Sequence, residues 1–146
     1  MSGYSGTPLA QKLGIRSGSR LLVVDAPDGW IERTLVLPQD VAVTDLRARS
    51  ADVILVFGRG RSALEARWRS LLDRLPAGGA LWVAWPKKRP AVARPAASVA
   101  SDLTEDVVRD IALPCGLVDI KVAALDDVWS GLKLVVRRDL RSAWSD

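Results

Sequence analysis

Asp52-Val53-Ile54-Leu55-Val56-Phe57 is followed, after Gly58-Arg59-Gly60-Arg61, by a polar and apolar mixture running to Leu75-Pro76-Ala77-Gly78-Gly79, and then by Ala80-Leu81-Trp82-Val83-Ala84-Trp85. The two flanking runs carry no polar alternation, which suits strands buried on both faces. Between them Leu64, Trp68, Leu71, Leu72 and Leu75 recur on one 3.6-residue face, and Ser62 with Glu65 has capping-box spacing. Pro76 and Gly78 stop the helix. A strand, a crossover helix and a second buried strand make a parallel unit.

Working outward towards the start, residues 20–25 hold a third unbroken apolar run, Leu21-Leu22-Val23-Val24, bounded by Gly18 and Pro27. A short helix is expected from Asp28 or Gly29 to Leu35, then a strand over residues 41–44. Ahead of these, Thr7-Pro8 with Leu9, Leu13 and Gly14 reads as a short helix with Thr7 as N-cap and Gly14 as its stop.

Towards the other end, residues 86–101 turn to Pro, Ala, Arg and Ser, with prolines at 86, 90 and 95, so a mobile loop is expected there. Asp102 or Ser101, with Glu105 behind it, is the expected cap of a helix whose buried stripe is Leu103, Val107 and Ile111, ending before Pro114 and Gly116. Residues 117–123 alternate, which predicts Val118, Ile120 and Val122 on one face and Asp119 and Lys121 on the other. Residues 132–138 form the last strand, joined to its predecessor through a turn around Asp126, Asp127, Ser130 and Gly131, so this pair is antiparallel. The order of elements predicts one α/β domain over residues 1–146. It is a Rossmann-like three-layer sandwich with a mostly parallel sheet of about six strands and an antiparallel C-terminal hairpin. Val24 and Ala84 are expected on neighbouring strands of like direction, their exits meeting at one hollow.

The chain has 146 residues, 49% of them apolar, with 21 Lys and Arg against 17 Asp and Glu, one Cys and no His. Without His, the His-dependent triads are excluded, and one Cys builds neither a zinc site nor an internal disulfide. Apolar runs of four or five residues broken by charge do not approach a membrane span, and residues 1–6 lack the apolar core of a secretory signal, so a cytoplasmic location is expected. The net charge of +4 is spread over the whole domain, with two local basic clusters. Lys87, Lys88, Arg89 and Arg94 make one, and Arg137, Arg138 and Arg141 the other. Solvated surface explains such runs more simply than a nucleic-acid face. A monomer or a homodimer is expected.

The parallel strand, the helix ending in Leu75-Pro76-Ala77-Gly78-Gly79, the strand Ala80-Leu81-Trp82-Val83-Ala84-Trp85, a further helix and a closing hairpin resemble the class I S-adenosylmethionine-dependent methyltransferase fold. The resemblance covers about the last two thirds of the chain. It implies S-adenosylmethionine as cofactor, a glycine-rich turn after the first strand, and an acid at the end of the second strand to hold ribose hydroxyls. The turn here is Asp25-Ala26-Pro27-Asp28-Gly29, where Pro27 has no amide proton and a single glycine is present, which argues against cofactor binding of the usual kind. Asp45 stands at the position of the acid.

A second resemblance runs nearly end to end. Tyr4-Ser5-Gly6-Thr7-Pro8-Leu9-Ala10 with Lys12-Leu13-Gly14, Trp85-Pro86-Lys87-Lys88, Asp102-Leu103-Thr104-Glu105 with Val108-Arg109, Gly116-Leu117-Val118-Asp119 and Trp129-Ser130-Gly131-Leu132-Lys133 look like an uncharacterised bacterial domain-of-unknown-function family. It implies no activity.

Ligands of open parallel sheets bind beyond the carboxyl ends of the strands, where strand order reverses. The candidate ligand-binding residues are therefore Asp25, Ala26, Pro27, Asp45, Arg59, Arg61, Trp85, Lys87 and Lys88, with Trp129 at the hairpin and Thr7 and Lys12 from the amino-terminal segment. Arg59 and Arg61 precede a helix and suit an anion at its N-terminus. Trp85 suits stacking on a planar ligand, and Lys87 and Lys88 a phosphate or carboxylate. Asp102, Glu105 and Arg109 are explained as a cap and a helical ion pair, and Cys115 as a small apolar residue. The expected function is a degenerate methyltransferase-like cleft that binds an anionic small molecule or a protein partner, with no catalytic residue assigned. The alternatives are a minimal methyltransferase using Asp25 and Asp45 as cofactor contacts, and a basic nucleic-acid accessory protein.

Overall fold

The computed structural model describes residues 8–87 and 101–144. Its sheet has six strands, β1 Arg20–Val24, β2 Ala42–Thr44, β3 Val53–Phe57, β4 Ala80–Pro86, β5 Leu117–Ala124 and β6 Trp129–Val136, in the order β2-β1-β3-β4-β6-β5. The pairs β1·β2, β1·β3 and β3·β4 are parallel. β6 runs antiparallel to β4 and to β5, so it alone among these strands is reversed. The helices are α1 Leu9–Leu13, α2 Trp30–Thr34, α3 Arg61–Asp73 and α4 Glu105–Ala112.

Every residue of β3 and β4 is buried, as their unbroken apolar sequences require at the centre of a sheet covered on both faces. Alternate residues feed two cores. Ile54, Val56, Leu81, Val83, Leu132 and Leu134 pack with Leu64, Trp68 and Leu71 of α3 and Val108 and Ile111 of α4. On the other face Leu55, Phe57 and Trp82 pack with Leu13 of α1 and Trp30 of α2. This makes the three layers, and strand order reverses between β1 and β3, where the connections leave in opposite directions. Gly79 is required at the turn into β4, where a β-carbon would lie 2.9 Å from Pro76 Cδ and 3.2 Å from the Asp52 carbonyl oxygen.

Several expectations are corrected. Val24 and Ala84 point the same way but are not neighbours, because β3 lies between them, pairing Val24 with Val56 and Ala84 with Phe57. Ser62 does not cap α3. The N-cap is Gly60 without a side-chain bond, and Asp102 reaches across to accept from the Arg61 amide at 2.7 Å. Asp102 is thereby unavailable to α4, whose cap is Thr104, accepting from the Val107 amide at 3.2 Å. α1 begins after Pro8, its N-cap, and Thr7 lies outside the described residues, as do Lys88 and residues 88–100 of the expected mobile loop.

The alternation in β5 is broken by a register shift between Asp119 and Lys121, so Val118, Ile120 and Val122 do not share one face, and Ile120 and Val122 are exposed. The shift turns Asp119 towards α4, where its carboxylate accepts from Arg109 at 2.9 Å. That guanidinium holds the Asp119 carboxyl below the usual range. Arg109 also meets Glu105, the helical pair the sequence predicts. The hairpin turn is built on Asp126, whose Oδ1 accepts from the Val128 and Trp129 amides, both at 2.8 Å. Ser130 and Gly131 are inside β6, and Gly131 lets the Trp82 ring lie 3.2 Å from where its β-carbon would be.

Candidate ligand cleft at the carboxyl edge

β1 ends at Val24, and Asp25 turns out of the sheet with φ of 60°, a left-handed conformation that favours glycine and that Asp tolerates better than most residues. The resemblance implies glycine here, and Asp25 holds a glycine-like backbone instead. Its carboxylate is gripped by Arg67 of α3, Nε to Oδ2 at 3.0 Å and Nη2 to Oδ1 at 3.1 Å. Ala26 is partly buried in the α1/α2 layer, and the Pro27 carbonyl accepts from the Trp30 amide at 3.0 Å, closing the turn into α2.

Two hollows open at this edge. One, of about 280 Å³, lies against Val24, Asp25, Asp45, Arg47 and Arg67. The other, of about 110 Å³, lies against Asp25, Phe57, Gly58, Arg59 and Arg67. They share the Asp25–Arg67 pair as a common wall. Asp45 follows β2 and is tied to Arg47, whose amide reaches Oδ1 at 2.9 Å and whose Nη2 reaches Oδ2 at 2.9 Å. These bonds lower the Asp45 pKa.

The structure brings Asp25, Asp45 and Arg59 together here and separates the remaining candidates. Arg61 donates through Nε to Glu65 at 3.1 Å, while Asp102 already sits at the amide where an outside anion was expected. Arg59 lies 5.5 Å above the Trp129 ring. Trp129, 3% exposed, also meets Phe57 edge-on at 5.0 Å, so it is a core ring under an arginine rather than an open platform. Trp85 is buried in the α3/α4 layer and is not placed to stack on a ligand. Lys87 donates to the Asp126 carbonyl at 2.7 Å, bracing the hairpin. Lys12 lies on α1, a brace over the α1/α2 face, and lines neither hollow.

Of the second basic cluster, Arg137 pairs with Asp139 at 2.8 Å and Arg141 donates to the Val136 carbonyl at 3.0 Å. Among the described residues no group of His, Cys, Asp and Glu is placed to hold a metal ion. No helix there is long and apolar enough to cross a membrane.

Arg67 and Arg47 were not singled out by sequence reasoning. Arg67 lies on the polar side of a helix 42 residues from Asp25, and nothing local in sequence marks such a pair. Arg47, two residues after Asp45, was within reach of an Asp-centred turn pattern.

No family model matches the sequence, and no curated protein matches it. Solved structures do resemble the fold. An S-adenosylmethionine-dependent methyltransferase from Aquifex aeolicus aligns with a TM-score of 0.59 at 14% identity, over 88% of each chain. A DhpI structure in complex with SAH aligns at 0.57 and 13% identity, over 89% of this chain and 82% of that one. A possible exported protein from Bordetella parapertussis aligns at 0.57 and 13% identity over 88% of this chain, which spans 64% of that one. The chain has the methyltransferase-like Rossmann fold. At this identity the likeness extends to the fold alone, and fold does not carry activity.

The turn departs from what the fold resemblance implies for S-adenosylmethionine: Pro27 has no amide to offer, and Asp25 and Asp45 are paired with Arg67 and Arg47.

Proposed function

We propose that the hollow beside Asp25 and Arg67 holds a small molecule bearing a carboxylate or phosphate, and that the domain binds it without transferring a methyl group. The observation that carries this reading is the two-pronged Asp25–Arg67 contact at the strand-order reversal. The guanidinium has the planar fork that recognises oxyanions, and its present partner is a carboxylate that an incoming one replaces. The hollow, about 280 Å³, falls just below the range of about 300–1,000 Å³ usual for drug-sized ligands, which favours a small occupant.

The test is a thermal-shift and tryptophan-fluorescence screen of small carboxylates and phosphates beside S-adenosylmethionine. A saturable shift with an anion, lost in Arg67→Ala, with no calorimetric heat from millimolar cofactor, is the expected result. The likeness to methyltransferases supports a second reading, a minimal methyltransferase with an atypical cofactor loop. Saturable S-adenosylmethionine binding that disappears in Asp25→Ala would replace the first reading with the second. Silence from every small anion would leave a protein partner as the occupant of this edge.

A further inference from the structure

On the opposite, amino-terminal edge of the sheet, the first residues of β3 and β4 meet the end of α1 around a hollow of about 350 Å³. Arg16 and Ser19, from the segment leading into β1, form one side, and Lys133 of β6 forms another. Lys133 is half-buried, and its Nζ lies 3.8 Å from where a β-carbon on Gly14 would be. Among the described residues it has neither a hydrogen-bond acceptor nor an acidic partner. Its charged neighbours are Lys121, its cross-strand partner on β5, and Arg16, both cations. Burial first, and then these two charges, lower its pKa.

The acid on the wall does not offset this. Asp52, immediately before β3, is committed to Arg20, accepting from its amide at 2.8 Å and lying 3.7 Å from its guanidinium. Ser19 Oγ accepts from the Arg16 amide at 2.9 Å, which leaves its hydroxyl proton free to bond an outside acceptor. A partly dehydrated ammonium beside other cations, with no counter-charge, is costly until an anion completes it.

We propose that this hollow binds a phosphate group, with Lys133 and Arg16 supplying charge and the Ser19 hydroxyl a hydrogen bond. The space exceeds that of inorganic phosphate, which leaves room for the rest of a phosphorylated small molecule. This site does not depend on the carboxyl-edge reading.

The test is titration with inorganic phosphate at constant ionic strength, followed by melting temperature and by amide chemical shifts, with chloride as the control. A saturable effect at Gly14, Arg16 and Ser19 is expected, weakened at least about tenfold in Lys133→Gln and in Arg16→Gln, as the loss of a charge-assisted hydrogen bond implies. It should be unchanged in Arg67→Ala, which separates this site from the other edge. Binding should weaken as pH rises through the lowered Lys133 pKa. Ribose 5-phosphate binding more tightly than inorganic phosphate would identify the group as part of a larger ligand, and equal affinity would identify free anion. An effect equalled by chloride, or surviving in both variants, would overturn the proposal.

Discussion

The two edges of the sheet treat charge in opposite ways. At the carboxyl edge Asp25 has Arg67, Asp45 has Arg47, and even the first turn of α3 has Asp102 supplied from 41 residues away. At the amino-terminal edge Lys133 and Arg16 face a hollow whose acid is already paired with Arg20. At the first edge the acids are matched by arginines, with Arg59 left over the Trp129 ring, and the proposed ligand would enter by exchanging partners. The second is left one anion short. In a fold whose usual binding edge is the carboxyl one, this contrast shows that the location of free charge follows from which pairs the fold has already made.

The largest effect should come from the ring that anchors the end of α1 beside the amino-terminal edge. Trp82 is fully buried at the sheet centre and donates to the Leu13 carbonyl at 3.1 Å, holding the end of α1 over the amino-terminal hollow. Trp82→Ala is expected to cost about 3–5 kcal/mol in urea unfolding. A loss under about 1 kcal/mol would mean the α1 side is not held through this ring.

Next, Asp102→Ala removes the distant cap of α3 and should cost about 0.5–2 kcal/mol. In a Lys133→Gln background it should also create phosphate binding at the bared Arg61 amide, seen as new amide shifts there. Unchanged stability would show that the contact does not act as a cap.

A double-mutant cycle on Asp25→Asn and Arg67→Gln should give a smaller coupling, roughly 0.2–1 kcal/mol, that shrinks with added salt, because both side chains are well exposed. Zero coupling at low salt would break the picture of acids matched by arginines.

Smallest is Lys133→Met. A lysine whose pKa is lower folded than unfolded penalises folding in its charged form. The penalty is therefore full below the folded value and is relieved as pH climbs towards about 10.4, the ordinary lysine value. The variant should gain a few tenths of a kcal/mol near neutrality and nothing near that upper limit. A loss at neutral pH would show that Lys133 is already satisfied.

The strands and layers were legible because burial on both faces writes itself as uninterrupted apolar runs, as in Val53-Ile54-Leu55-Val56-Phe57. The reversal of order between β1 and β3 followed from the crossover rules. Side-chain partnerships over long separations were not legible. Ser62 and Glu65 had the right spacing for a cap, but Asp102 won that place because the fold brings the two α-helical starts together. Trp85 read equally well as stacking platform or core, and only packing distinguishes the two. Alternation failed in β5 because one unpaired residue inverts every face beyond it.

That unpaired residue, Ile120, has a consequence for assembly. The outer margin of β5 offers unbonded backbone and two greasy side chains, Ile120 and Val122, a template on which another ribbon would otherwise grow. The kink interrupts the even ladder that such growth needs, and the protruding Lys121 adds a charge that a stacked copy would have to bury. Straightening the strand by deleting Ile120 is therefore expected to let this margin pair more readily with a second copy, Lys121 and Val122 remaining at its face.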